Sequence, residues 1–463
     1  MASETPSVRF PRQPRRGLLL GFSGPRVAAG IAAVLLVAGG FVGGSMKGIA
    51  LAFAMAGILV TTATVRVKGR YVVEWLLPYS HWLARGATTQ RTFRARITTS
   101  RPIGSLALPG DAARLRLVAN ADGSVYLHDP AVSTLTAALR LEHPSMVLLD
   151  GDAQAERVAG WSRLLSSLAG SPSVHHVSIL EETIPDTGNG PIEWFREHWT
   201  RRDDWPSREY YALLESSQYQ STTHRTTATI TIRVGRHGLS DACTEMAAQR
   251  RGLEDAFAAA GLRIGTWLDE SDLAKQVRQA YAPFATPNVQ SLAHAGPVAI
   301  DEAWGSLRHD NAVSCVLALA EFPAVPVGPQ FLHSLIFSVG IRHTFTLLAR
   351  VQTVDAALRQ VRRDKIASAS DRMQKRKIGQ LEDMSDVTEY QAIEEREAAL
   401  LQGHAAVQLT ALVTVMAATQ DELEAAVAQI KRDAGRCACE ARVLYGMQSQ
   451  AFVAAAVPVG RGV

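Results

Sequence analysis

Residues 27–65 read VAAGIAAVLLVAGGFVGGSMKGIALAFAMAGILVTTATV, and Lys47 is the one charged residue among them. Lys47 divides the stretch into Val27–Met46 and Gly48–Val65, runs of 20 and 18 residues. Each approaches the roughly 20 apolar residues that span a hydrocarbon core. Five arginines precede the first run (Arg9, Arg12, Arg15, Arg16 and Arg26), and Arg66, Lys68 and Arg70 follow the second. Basic residues favour the cytoplasmic side, so this asymmetry predicts a transmembrane α-hairpin with both termini in the cytoplasm. Gly39, Gly40, Gly43 and Gly44 lack side chains where the helices must approach or turn. A cleaved signal peptide would have a shorter apolar run and no second run behind it. Tyr71, Trp75, Tyr79 and Trp82 then suit an interfacial anchor, or a helix packed on the following body.

Working outward, the 463-residue chain has room for the hairpin and two soluble domains. Its 47% hydrophobic and 20% charged content excludes a polytopic transporter, and a net charge of +4 gives no case for nucleic-acid binding. Beyond residue 101 the pattern is α+β. Asn120-Ala121-Asp122-Gly123, between Leu115–Val118 and Val125–Leu127, predicts a hairpin. Helices are expected at 134–139, 153–168, 209–217, 240–260, 270–280 and 421–436. Strands are expected at 146–149, 174–180, 226–234, 313–319, 341–351 and 405–417. Thr353–Leu401 reads as a long helical hairpin. Residues 355–377 carry eight Lys/Arg against three acids, and 382–397 carry seven acids against one Arg. An antiparallel pair would match these blocks, and a solvated charged helix fits equally. The expected domains are a basic segment (1–26), the hairpin (27–66), a juxtamembrane linker and helix (67–100), and α+β domains at 101–237 and 238–463.

The search for chemistry finds no site. No Gly-Lys dipeptide occurs, which excludes the phosphate-binding loop of nucleotide hydrolases. Val298-Ala299-Ile300-Asp301-Glu302 imitates a strand ending in a magnesium-binding acid pair, but has no phosphate loop to serve. His175-His176 reads as a surface pair rather than a metal site. Cys437 and Cys439 lack the second pair a zinc site needs, and the four cysteines read as reduced thiols. No enzyme activity, cofactor or metal is expected.

Several short motifs, taken in order, carry a resemblance. Arg9-Phe10-Pro11 and Arg15–Gly21 precede the hairpin, and Glu74-Trp75-Leu76 follows it. Leu108-Pro109-Gly110, Leu148–Gly151 and Arg157–Trp161 come next. Gly296-Pro297, Trp304, Arg308, Glu321-Phe322-Pro323 and Val327–Leu332 lead to Arg396–Leu400 and Gly403-His404-Ala405. Tyr445–Gln448, Ala451-Phe452 and Pro458–Gly462 close the series. Together they resemble a family of actinobacterial membrane proteins encoded with conjugation-type type IV secretion machinery. There a PrgI-like two-helix membrane subunit is joined to a body like the N-terminal domain of CagE/TrbE-type transport ATPases. Some members are labelled EccE-like type VII secretion proteins. The resemblance implies a non-catalytic inner-membrane adaptor in an oligomeric complex, contacting membrane lipids and a separate ATPase. Its expected docking surface runs from the charged helices, with Arg372, Lys375 and Arg376, to Gly460 and Arg461.

Overall fold

A computed structural model of the chain describes residues 23–95, 104–106, 108–120, 123–142, 149–169, 171, 173–185, 189–199, 204–216, 222–259, 263–323, 326–377, 384–402, 404 and 406–462. They are mixed α+β, with two N-terminal apolar helices ahead of a sheet-rich body. The arginines at 9–16 lie outside the described residues, as does most of the strand expected at 146–149. Two compact units are present: one holds the segments 10–90 and 352–406, the other 91–351 and 407–463.

In the helical unit, α1 (Gly24–Val42) and α2 (Met46–Thr64) form a hairpin. Their apolar windows have mean hydropathy 1.9 and 1.7 and are each only 11% buried, so these are not core helices of a soluble fold. The buried residues are all alanines, Ala29 and Ala33 on α1 and Ala52 and Ala56 on α2. Small side chains let the backbones approach. At Gly40 a Cβ would come within 2.6 Å of the Ala52 Cβ, so the crossing requires glycine there. A two-stranded turn, β1 (Arg66–Val67) and β2 (Arg70–Tyr71), leads through a 3-10 turn at Val72–Trp75 into α3 (Leu76–Ala87). The same unit contains α10 (Val354–Lys377) and α11 (Met384–Leu401), packed on Ala357, Val361, Ile393 and Leu400.

The other unit is built on one 13-stranded sheet. Its first half runs β4 (Arg116–Ala119), β5 (Val125–Asp129), β6 (Thr134–Glu142), α4 (Gly151–Ala169), β7 (Val174–Pro185), α5 (Asn189–His198), α6 (Trp205–Ser216), β8 (Thr222–Arg233), α7 (Leu239–Ala259), β9 (Arg263–Trp267) and α8 (Glu270–Tyr281). The second runs β10 (Ala299–Glu302), β11 (Leu307–His309), β12 (Ala312–Glu321), α9 (His333–Ile336) and β13 (Arg342–Gln352). It resumes with β14 (Ala406–Ala417), α12 (Gln420–Arg436), β15 (Glu440–Val443) and α13 (Gln448–Ala456). β3 (Thr92–Arg94) borders β10 at one edge.

The strand order shows a duplication. Four strands of the first half stand in the order β9-β6-β8-β7, and four of the second in the order β15-β12-β14-β13. Numbered within each half, both orders are fourth, first, third, second, the split β-α-β arrangement of ferredoxin-like units. A meander enters each half, β4-β5-β6 in one and β10-β11-β12 in the other. Leu139 pairs with Trp267 just as Leu317 pairs with Val443. Beyond those pairs Leu268 donates to the Ala138 carbonyl at 2.9 Å, and Leu444 donates to the Val316 carbonyl at 3.0 Å. The halves join by antiparallel pairing of β7 with β13, from His176–Arg350 to Thr183–His343. The expected division at 237/238 falls between β8 and α7, inside the first ferredoxin-like unit.

Alternation along the strands sorts side chains onto two faces. In β8, Ala228, Ile230 and Ile232 pack under α4 and α7, in a cluster with Leu164, Met246 and Phe257. The second half has its own cluster on Val313, Cys315, Leu317, Val413 and Val415, covered by Leu423 and Ile430 of α12. A third cluster spans both halves: Ala138, Val316, Leu348, Leu412 and Met416 lie with Val277 of α8 and the buried run Ala451–Val457. There Tyr281 of α8 meets Phe452 of α13 with ring centroids 5.1 Å apart.

One expected element changes type. Residues 134–139, read as a helix, begin β6, whose residues are buried on both faces through Leu139. Leu135 and Leu139, four apart, imitate a helical face, but Leu135, Ala137, Leu139 and Leu141 alternate as in a strand, and pairing with β8 decides the outcome.

Candidate functional site

Two regions bear on function. The first is the base of the α1–α2 hairpin. Arg26 donates from Nε to the Ala63 carbonyl at 3.0 Å, and its guanidinium lies 3.6 Å from the Tyr71 ring centroid. Arg66 donates to the Tyr71 hydroxyl at 2.5 Å. Glu74 accepts from the Ser23 hydroxyl at 2.5 Å and from the Tyr71 amide at 3.3 Å. Trp75 donates from Nε1 to the Val67 carbonyl at 3.1 Å, and Tyr79 stacks on Trp82 at 6.0 Å. The start of α1, the end of α2 and the entry to α3 are thereby tied into one knot.

The second region is the α10–α11 pair. Its opposite charges meet within the pair: Lys365 bonds Glu397, and Arg396 lies 4.0 Å from Asp364. The Glu397 carboxylate holds the Lys365 ammonium above its usual range. Arg372 sits over the Tyr390 ring at 4.4 Å, and Lys375 and Arg376 follow it on α10. Gly460 and Arg461, expected on the same docking surface, belong to the sheet unit instead. Gly460 is buried, and its carbonyl accepts from the Thr231 hydroxyl at 3.4 Å. Arg461 pairs with the buried Asp129 at 2.6 Å. Both serve the body's own packing.

The remaining candidates fall into ordinary structure. Asp301 and Glu302 end β10, with Asp301 exposed, Glu302 buried and the Glu302 amide donating to the Arg91 carbonyl at 2.9 Å. His175-His176 is not a surface pair, because His176 is buried on β7, which has strands on both sides. Its Nδ1 lies 2.8 Å from Nδ1 of His175, and burial, with the neighbouring His175, lowers it to about 4. Burial pushes the Cys315 thiol up to about 12 and Cys439 up to about 11, which keeps both protonated. Among the described residues no group of three His, Cys, Asp or Glu side chains is placed to hold a metal ion.

Sequence reasoning missed a buried polar seam on the face beneath α8 and α13. Thr136 and Thr231 share a hydrogen bond at 3.0 Å, and Ser178 and Thr229 share one at 2.5 Å. Gln276 donates to Thr227 at 2.8 Å, and Arg225 donates to Glu182 at 2.6 Å. The alternation Thr227-Ala228-Thr229-Ile230-Thr231 was its visible sign. Such a network favours one strand register, because these hydroxyl pairs meet in one alignment only. Compared with models of known protein families and with curated proteins, the chain matches none.

Proposed function

We propose that this chain is a non-catalytic inner-membrane adaptor of a conjugation-type type IV secretion system, tying the membrane to a separate transport ATPase. The observation that carries the reading is the hairpin: two span-length helices with exposed apolar surfaces, locked at one end by a basic and aromatic knot. Basic residues lie on both outer flanks and Lys47 alone lies near the turn, so both termini face the cytoplasm. No Gly-Lys dipeptide and hence no phosphate loop occurs in these residues, which supports assigning energy supply to a separate ATPase. The sequence resemblance supplies the type IV assignment. An EccE-like role in type VII secretion is the second reading, favoured by the same topology of two helices before a large body.

The ATPase docks on α10–α11, where Arg372, Lys375 and Arg376 end the basic helix. Affinity purification of the full chain from membranes, with mass spectrometry of co-purifying subunits, tests the assignment. A traffic ATPase with a coupling protein supports type IV; an EccC-like ATPase supports type VII. Charge reversal at Arg372, Lys375 and Arg376 is expected to lose the ATPase while the chain stays folded. Retention at the unaltered level would move the docking surface elsewhere. Orientation is read by impermeant labelling of cysteines introduced at positions 46, 7 and 95, with reaction expected at 46 alone.

A further inference from the structure

We propose that the first half of the sheet unit binds a free apolar α-amino acid, in a crevice that the second half has closed. The site is independent of the secretion reading, and the internal repeat reveals it. Leu127 pairs with Thr136 as Leu307 pairs with Ser314, and Leu139 pairs with Trp267 as Leu317 pairs with Val443. Counting from those pairs, Ser124 corresponds to Trp304 and Asp269 to Tyr445. In the second half these two positions hold stacked rings, with centroids 6.0 Å apart. The backbone is moulded to them: an added Cβ would come within 3.0 Å of Tyr445 at Gly305 and within 2.6 Å of Trp304 at Gly446. In the first half a hydroxyl and a carboxylate stand there instead. A cavity of about 210 Å³ remains, lined by Val125, Tyr126, Arg250, Trp267, Leu268 and Asp269 together with the Gly123-Ser124 turn.

The lining defines the ligand. The Arg250 guanidinium lies 4.5 Å from the Trp267 ring centroid and donates to the Tyr126 hydroxyl at 3.4 Å. Glu254, one turn further along α7, accepts from Trp267 Nε1 at 2.5 Å and not from Arg250. Arg250 therefore has no carboxylate partner among the described residues, and its fork of N–H donors matches one. Asp269 caps α8, its Oδ1 accepting from the Asp272 amide at 2.8 Å, which leaves Oδ2 to bond a ligand. Two opposite charges that share a cavity without pairing with each other are complementary to a molecule carrying both. A simple acid would be repelled by Asp269 and a simple amine by Arg250. A peptide terminus brings one charge only, so the zwitterion of a free amino acid fits best. Val125, Tyr126, Trp267 and Leu268 supply an apolar wall for its side chain. Since a cavity of about 150 Å³ admits a benzene ring, phenylalanine is of suitable size.

The test titrates the full-length chain in detergent micelles with L-phenylalanine, read by saturation-transfer NMR against empty micelles. A dissociation constant of about 1 mM or tighter is expected, within the efficiency that ligands this small reach. Two analogues keep the ring and remove one charge each: 3-phenylpropionate lacks the ammonium, and phenylalanine amide lacks the carboxylate. Each is expected to bind the unaltered chain about 10-fold more weakly or worse. Arg250→Gln should weaken L-phenylalanine by a similar factor. Ser124→Trp, which places the ring of the second half in the first, should abolish binding with Arg250 and Asp269 intact. Amide exchange in β5 and β9 that matches the unaltered chain shows that a variant is folded. Absence of binding to the unaltered chain at tens of millimolar would overturn the proposal. So would equal binding of either analogue, or unchanged binding in a folded variant.

Discussion

The two halves of the sheet unit use one plan with different fillings. Aligning Ala138 with Val316 brings Leu135, Ala137, Leu139 and Leu141 onto Val313, Cys315, Leu317 and Leu319, so the buried spacing repeats while the residues differ. The first crossover is the 19-residue α4 in one half and the four-residue α9 in the other. The connection from second to third strand holds α5–α6 in the first half, 10 and 12 residues and rich in aromatics. In the second it holds α10–α11, 24 and 18 residues and rich in charge. Alternation preserved the frame, and the insertions diverged. The shared roof of α8 and α13 and the β7–β13 pairing predict that the halves unfold as one body.

The sharpest way to break that prediction is Phe452→Ala. Phe452 is fully buried in the roof, with centroids 5.1 Å from Tyr281 and 4.9 Å from His309. Its truncation is expected to cost about 3–5 kcal/mol. Hydrogen exchange should speed in β6–β8 and in β12–β14 together. Faster exchange in the second half alone would show two separable domains. Gly460→Val comes next. Gly460 has φ +65°, and an added Cβ would collide with the hydroxyls of Thr136 and Thr231 in the first half. Strain and overpacking together are on the order of 3 kcal/mol. A urea midpoint unchanged by this substitution would show that the tail does not hold the halves together.

These two positions also show where sequence reading stops. The apolar helices were legible as uncharged runs of span length, the strands at 174–180, 226–234, 313–319 and 341–351 as short apolar or alternating runs, and the helix pair at 353–401 as two long segments of opposite charge. The repeat was not. Its matching strands share spacing rather than residues, and insertions of unequal length hide the common period. Gly460 and Arg461 read as part of a docking surface because a short run near glycines carries no sign of burial, and the ion pair with Asp129 joins residues distant in sequence. The knot at Tyr71 was half legible: the aromatic and basic residues stood out, and their mutual bonds did not.

Acidification tests both halves at once. His176 in the first and His309 in the second are each lowered to about 4, in both cases chiefly by burial. Since the unfolded chain binds these protons near 6.5, stability is full above that pH and falls as pH drops toward 4, then levels off. Between pH 7.5 and 5.5 the loss is on the order of 1 kcal/mol for each histidine, read as a shift in the urea midpoint. Each His→Gln variant should flatten the profile by one such share. A variant that flattens it by the whole amount would mean that one half alone senses pH.

The smallest effect separates the two insertions. In α10–α11 the pairs Lys365–Glu397 and Arg396–Asp364 are partly exposed, so salt should screen them. In α5–α6 the contacts are of another kind: Phe195 lies 5.4 Å from Tyr210, and Arg196 donates to the Tyr211 hydroxyl at 2.6 Å. Aromatic packing responds little to ionic strength. Raising salt from 0.05 to about 0.5 M shortens the screening length to near 4 Å, about the length of these pairs. Amide exchange in α10–α11 is therefore expected to quicken with salt while that in α5–α6 stays constant. Lys365→Gln should remove the salt response of that pair, and Lys365→Glu with Glu397→Lys should keep it, because the partners are exchanged rather than lost. Exchange in α10–α11 that does not respond to salt in the unaltered chain would place the hairpin's stability in Ala357, Val361 and Ile393, its apolar seam. The charges would then be left to face a partner, and the α10–α11 surface would be better suited to docking than its internal pairing now indicates.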